Sequence, residues 1–551
     1  MPETQAQAFE LFHSRLESVA SDWNDRRREY MDNYRQLMGK DISGGSPKPW
    51  GAKVNSRHTY AQVDTHVAFL QAGLMPTFPW VFAEMPEPWR DLAPRAQEEY
   101  NRRLRDAGFY RFLYRWLRLA DTMKLGVAKM GFGPSGPQWN LVHPGNFMWD
   151  PSAESLRNDA EWVLEFLKRQ SKRMVEADWK AGLYTCSPEE FKRVMDYSDS
   201  ERTAQDEERM ERTSNVPEFD GDDHHLSFYW MVEPERILKV HEPTKVVLMD
   251  IPNELGYINY YDLTTFMEPF DIEGYGIPDL SRDLQDEINT LRRQRIDIRS
   301  LVANPMFKLL KGSGLDPFQL VSAPGAVYSV NNSDDLSMLQ VQDFSGTLQS
   351  EEGLLVGDFD RVIGVQGQTR GEPGKAGMKA TVANIIHSNV NVRMGVTMNL
   401  IQDYPLRAFL ADYVNLSALV ETPSAITMQE WELVRERAEA GEVWLVPHSE
   451  AYVGNAVEKF NLLFQLLQGI APITAPPGIA ELAKEMISLV QIRDPERITQ
   501  YIVGNVNPDP VAPPQLPGPN TQGQGIPMVE EQARAGAPMQ AGNPMSEAIP
   551  G

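Results

Sequence analysis

The chain has 551 residues, 42% of them hydrophobic, and its 77 acidic against 53 basic side chains give a formal net charge of −24. At roughly 150 residues per domain, this length predicts two to four domains or one large scaffold with insertions. The single cysteine, Cys186, excludes a disulfide framework within the chain and any multi-cysteine zinc or iron–sulfur site, and the acidic balance argues against gripping nucleic acid over the whole surface.

Residues 1–40 read as helix, with Phe9, Phe12, Leu16 and Val19 at helical spacing before a charged continuation. This opening is polar and amphipathic and lacks the pattern of a secretory signal. After a Gly/Pro/Ser break at Gly44 to Pro49, a second helix spans Thr59 to Leu74 and runs into Met75-Pro-Thr-Phe-Pro-Trp-Val-Phe82, where two prolines interrupt any helix. Residues 95–125 return to helix. Strands are predicted at Val127–Phe132, Trp139–Val142 and Phe147–Trp149, helix over 153–195, and a solvated or disordered acidic insertion over 196–225. Strands resume at Leu226–Val232, Arg236–Val240, Val246–Met249 and Tyr257–Phe266. No apolar run anywhere approaches the ~18–20 residues of a membrane span.

Gly274-Tyr-Gly-Ile-Pro-Asp279 then delivers a helix start, capped by Asp279 or Ser281. Leu280, Leu284, Ile288, Leu291, Ile298 and Val302 share one face of a helix of about 24 residues, roughly 36 Å long. Asn304-Pro305 ends it. A compact excursion follows, with short strands at Met306–Leu310, Ala326–Val330 and Leu336–Val341. A helix returns over Leu348–Val365, a glycine-rich loop runs from Gly364 to Gly377, and a long helix occupies about 379–416, kinked by Pro405. Beyond it come helix at 430–440, strand at 442–447 and helices between 456 and 503. The last 47 residues hold ten of the 40 prolines and predict a disordered tail. The whole reads as α+β and predominantly helical.

Three motifs fail on physical grounds. Gly131-Phe-Gly133-Pro-Ser-Gly136 matches a dinucleotide fingerprint by letter, but a strand-like run rather than a helix follows, so a hairpin turn is predicted. Gly371-Glu-Pro-Gly374-Lys375-Ala376 lacks the first glycine and the magnesium-binding hydroxyl of a phosphate-binding loop. Asp222-Asp223-His224-His225 places four ligand types in a row, where adjacent side chains do not converge on one ion. No nucleophile, cofactor or metal site is predicted. In the helix from 280, Arg282, Arg292, Arg293, Arg295 and Arg299 alternate with acids. That mixture suits helix contacts between copies and equally suits a solvated face.

The order of these segments resembles a portal, or head-to-tail connector, protein of a tailed bacteriophage, of the short-tailed type. Gln71-Ala-Gly-Leu-Met-Pro-Thr-Phe-Pro-Trp-Val-Phe82 is similar to a helix of that family ending in a proline and aromatic run. Val142-His-Pro-Gly-Asn-Phe-Met-Trp-Asp-Pro151 resembles a strand and turn of its wing. Gly274–Leu280 resembles the approach to its stem, and Asn304-Pro-Met-Phe-Lys308 the approach to its clip. The resemblance implies a portal fold divided as follows: wing over 1–273, stem helix over 274–303, clip over 304–346, second stem helix over 347–365 and tunnel loop over 366–378. A channel-to-wing helix with the remaining wing would follow over 379–455, crown helices over 456–504 and the tail over 505–551.

It further implies a homo-oligomeric ring of about twelve subunits at one capsid vertex of the virion, assembled in the host cytoplasm. Such a ring is a conduit for packaging and ejecting double-stranded DNA without sequence specificity. It docks terminase, tail adaptor proteins and the major capsid or scaffold protein. Carried over by position, Arg370, Lys375 and Lys379 would face the channel. A packaging-associated nuclease or NTPase, or a scaffold or adaptor without a conduit, are the alternatives. Multiplied over a ring, the net negative charge suits DNA that slides without sticking.

Overall fold

A computed structural model of the chain describes residues 5–40, 51–133, 136–197, 225–304 and 393–448, and most of 306–364. The described residues form a mixed α and β structure in which helix outweighs strand, compatible with the predicted α+β class.

Helix α1 (Gln5–Leu37) lies on one face of a five-stranded antiparallel sheet formed by β4 (Phe147–Trp149), β5 (Val163–Ser171), β6 (His225–Val232), β7 (Arg236–His241) and β8 (Val246–Pro252), in that spatial order. Side chains alternate across a strand, and the two faces have separate cores. Met231, Leu164 and Val247 meet Ala8, Phe12 and Val19 of α1, whereas Leu226, Phe228, Val246 and Leu248 meet Val175, Phe191 and Val194 of α5 (Lys172–Lys180) and α6 (Pro188–Met195). The expectation of helix over 153–195 is therefore corrected at β5. Its Leu, Glu, Lys and Arg content favours helix locally, but pairing on both sides with β4 and β6 overrides that preference.

The second layer is helical. α2 (His58–Leu74), α3 (Ala93–Asp106) and α4 (Phe109–Met123) pack on a three-stranded sheet of β3 (Gly136–Val142), β2 (Gly126–Gly133) and β9 (Tyr260–Leu263). The single helix predicted over 95–125 is two, because Gly108 at φ 73° occupies the left-handed region and starts α4 afresh. The rejected dinucleotide motif is the β2–β3 hairpin, with Gly133 opposite Gly136, as predicted. β1 (Val81–Glu84) pairs antiparallel with β12 (Trp444–Pro447).

The long helix predicted from about 379 is described over residues 393–417 and is here α9. Gln402–Leu406 forms a single π turn containing Pro405, after which the α-helix resumes. Proline has no N–H and crowds the preceding turn, and the wider turn absorbs both faults without ending the helix. α10 (Met428–Glu439) closes this layer, with Trp431 buried against Tyr100 and its indole N–H donating to the Val420 carbonyl at 2.8 Å. Residues 198–224, most of the acidic insertion predicted over 196–225, lie outside the described residues, as do 365–392 and 449–551. The segments expected to form a tunnel loop, crown helices and a disordered tail therefore lie outside the described residues.

Candidate functional site: the helical hairpin arm

Two helices, α7 (Ile277–Ala303) and α8 (Ser345–Ile363), pair along their length and are joined by an excursion containing a two-stranded antiparallel sheet, β10 (Phe307–Leu309) with β11 (Leu336–Met338). α7 starts one turn earlier than its predicted caps. Gly276 is the N-cap residue, and its N–H donates to the Asp279 carboxylate at 3.0 Å from the third helical position. Ser281 instead turns its hydroxyl back to the Ile277 carbonyl at 2.6 Å.

The root of α7 is held by a buried amide network. Gln285 accepts from the Thr59 N–H at 3.2 Å and donates to the Ser56 carbonyl at 3.1 Å, and Asn289 accepts from the Ser56 N–H at 2.9 Å. Gln36 of α1 donates to both Thr59 and Ser281. Asn33 donates to Asp279 at 2.8 Å, and the Ala52 N–H donates to Asp297 at 2.7 Å. The segment 52–59 thus acts as a strap of backbone groups that read α7's polar side chains, fixing its direction as it leaves the helical layer.

α8 is held at its far end. Phe359 and Ile363 enter the main helical core, and Gln62 of α2 donates to Asp360 at 2.5 Å. Gly364 adopts φ 84°, and a Cβ placed there would lie 2.6 Å from the Arg393 guanidinium. Arg393 donates to the Val362 carbonyl at 3.1 Å, capping the end of α8. The two ends of segment 365–392 are therefore fastened together at the base of the arm.

The distal half contrasts with this. From Leu291 onward α7 has no buried residue. Val302, Met306, Leu310, Val327, Met338 and Phe344 are all at least two-fifths exposed, Val327 at 92%. The β10–β11 ribbon has no third strand among the described residues. Two-stranded sheets are marginal in water, and open strand edges invite further pairing. Covering six such side chains would contribute on the order of 5–10 kcal/mol.

The five arginines singled out in α7 are placed as follows. Arg295 pairs with Glu352 of α8 at 2.9 Å and Arg292 approaches the same carboxylate at 3.9 Å. Arg282 donates to Asn33 at 2.6 Å and approaches Asp279 at 3.4 Å, and Arg293 donates to Asn55. Only Arg299 stays exposed, near Asp343, whose carboxyl is held below the usual range chiefly by hydrogen bonds from Ser345 and secondarily by Arg299. Four of the five thus have partners inside their own chain. Arg370, Lys375 and Lys379 lie outside the described residues.

Sequence reasoning missed Glu273, which sits at the root beneath α7. Its carboxyl accepts from the Tyr30 hydroxyl, with Arg26 at 3.8 Å. Burial pushes its pKa up to about 7 against the opposing pull of Arg26. The signal was present in Glu273-Gly274 immediately before the helix start, but nothing local announces that α1 will cover it. Among the described residues no cluster of three or more metal-ligating side chains occurs, and no helix is long and apolar enough to cross a membrane. No protein-family model matches the chain, and no curated protein matches it.

Proposed function

We propose that this chain is the subunit of a portal-type ring, structural rather than enzymatic, through which double-stranded DNA is packaged and later released at a capsid vertex. The observation that carries the reading is the arm: paired long helices, rigidly rooted, bearing a two-stranded apolar tip that a single copy leaves uncovered. A cyclic arrangement of about twelve copies would cover that tip side by side, because a heterologous interface that closes makes a ring. In this reading α7 and α8 are the stem and 304–346 the clip that meets terminase and tail adaptors. In the same reading Arg370, Lys375 and Lys379, carried over by position, would face the channel. Negative-stain images of the purified chain test this. Closed rings with a central hole are expected; monomers or open chains under all ionic conditions would sink the ring.

A further inference from the structure

α2 and α4 run antiparallel, so that Arg118 meets Asp64 at 3.1 Å and Tyr60, while Tyr114 donates to Asp64 at 3.3 Å. Their shared outer face carries a basic stripe on a chain of net charge −24. Phe109, Phe112, Leu113, Trp116 and Leu117 are buried, which turns Arg111, Arg115 and Arg118 outward at i, i+4 and i+7. Arg111 and Arg115 are exposed and pair with no acid among the described residues. Asp64 pairs with Arg118 on this face.

We infer that this α2–α4 face binds the phosphate backbone of double-stranded DNA, separately from any channel loop. Arg111 and Arg115 are one helical turn apart, about 6 Å, a spacing that meets neighbouring phosphates of one strand. Arg111 and Arg115, exposed and without an acid partner among the described residues, point to phosphate contact, while a cation already covers one face of Tyr60 (Arg118, 5.1 Å) and of Phe78 (Arg105, 5.2 Å). The contact is therefore sequence-independent and salt-sensitive. A single copy carries the whole face, so the inference does not depend on ring formation.

The test is fluorescence anisotropy of a labelled duplex of about 30 base pairs with the full chain, titrated from about 25 to about 200 mM salt. R111E/R115E should weaken binding at least tenfold at about 50 mM salt and lower the slope of log affinity against log salt by about two. R111Q/R115Q should do the same in smaller measure, which guards against an unfolded charge-reversal variant. R28E/K180E, which changes net charge equally at exposed sites elsewhere, should leave the slope unchanged. The inference is overturned if the wild type fails to bind duplex, if all pairs weaken binding equally, or if a single strand of equal length binds more tightly. It is also overturned if R111E/R115E keeps its DNA affinity but loses self-association, which would give the face to an acidic surface of a second copy.

Discussion

The root and the tip of the hairpin arm are built by opposite rules. At the root, polar groups are buried and paired: Gln285, Asn289, Ser56 and Thr59 satisfy one another within a single copy. At the tip, apolar groups are exposed and, among the described residues, no strand covers the edges of the ribbon. A buried amide network is costly to leave half-satisfied and accepts only one geometry. An apolar ribbon is indifferent to direction and asks only to be covered. The root therefore sets where the arm points, and in the proposed ring the tip would supply the reason for a second copy to be there.

Substitutions should separate the two halves. The largest effect is expected at the tip: L310D/M338D should abolish assembly while leaving monomer melting within about 1 kcal/mol of wild type, since both side chains are already exposed. Analytical ultracentrifugation with a parallel thermal melt reads both quantities, and a monomer that melts early would show that the tip also stabilises its own chain. At the root the ranking reverses. Q285A strands the Thr59 N–H and the Ser56 carbonyl in a buried site, so a loss of roughly 3 kcal/mol is expected in denaturant unfolding. Any loss of assembly should then follow from unfolding rather than precede it. A melt unchanged by Q285A would remove the distinction between root and tip.

Periodicity made α1, α2, α7 and α8 legible, along with most strands of the five-stranded sheet, because each presents one apolar face to a neighbour. It failed at β5, where charged residues hid the alternation until partners on both sides imposed it. It also failed at Gly108, where one glycine divides a continuous apolar stripe. At the site, the arm's order could be read from proline, asparagine and glycine punctuation. The strap could not: Ser56 and Thr59 meet Gln285 and Asn289 across more than 200 positions of chain, and nothing local in either segment encodes that meeting. Charge pattern left two readings open for the same reason, since alternating arginines look alike whether they face a copy, water or Glu352.

The smallest of the predicted effects tests whether the root is rigid at every pH. Glu273 has a pKa raised by burial from 4.5 to about 7. The folded state therefore holds a proton that the unfolded chain releases between those values. Stability contributed by the neutral carboxyl is fully present below pH 4.5 and is lost as pH rises through 7. The loss amounts to roughly 3 kcal/mol across that window. E273Q keeps the shape and an acceptor for Tyr30 but cannot ionise. Its unfolding free energy should match wild type near pH 5 and exceed it near pH 8, both measured in the full chain. Asp262, buried with a pKa raised to about 6, contributes the same sign, so the variant flattens the pH profile only in part. If the wild-type and E273Q profiles run parallel instead, Arg26 at 3.8 Å holds Glu273 ionised in the fold. The root of the arm would then be an ion pair, indifferent to pH across this window.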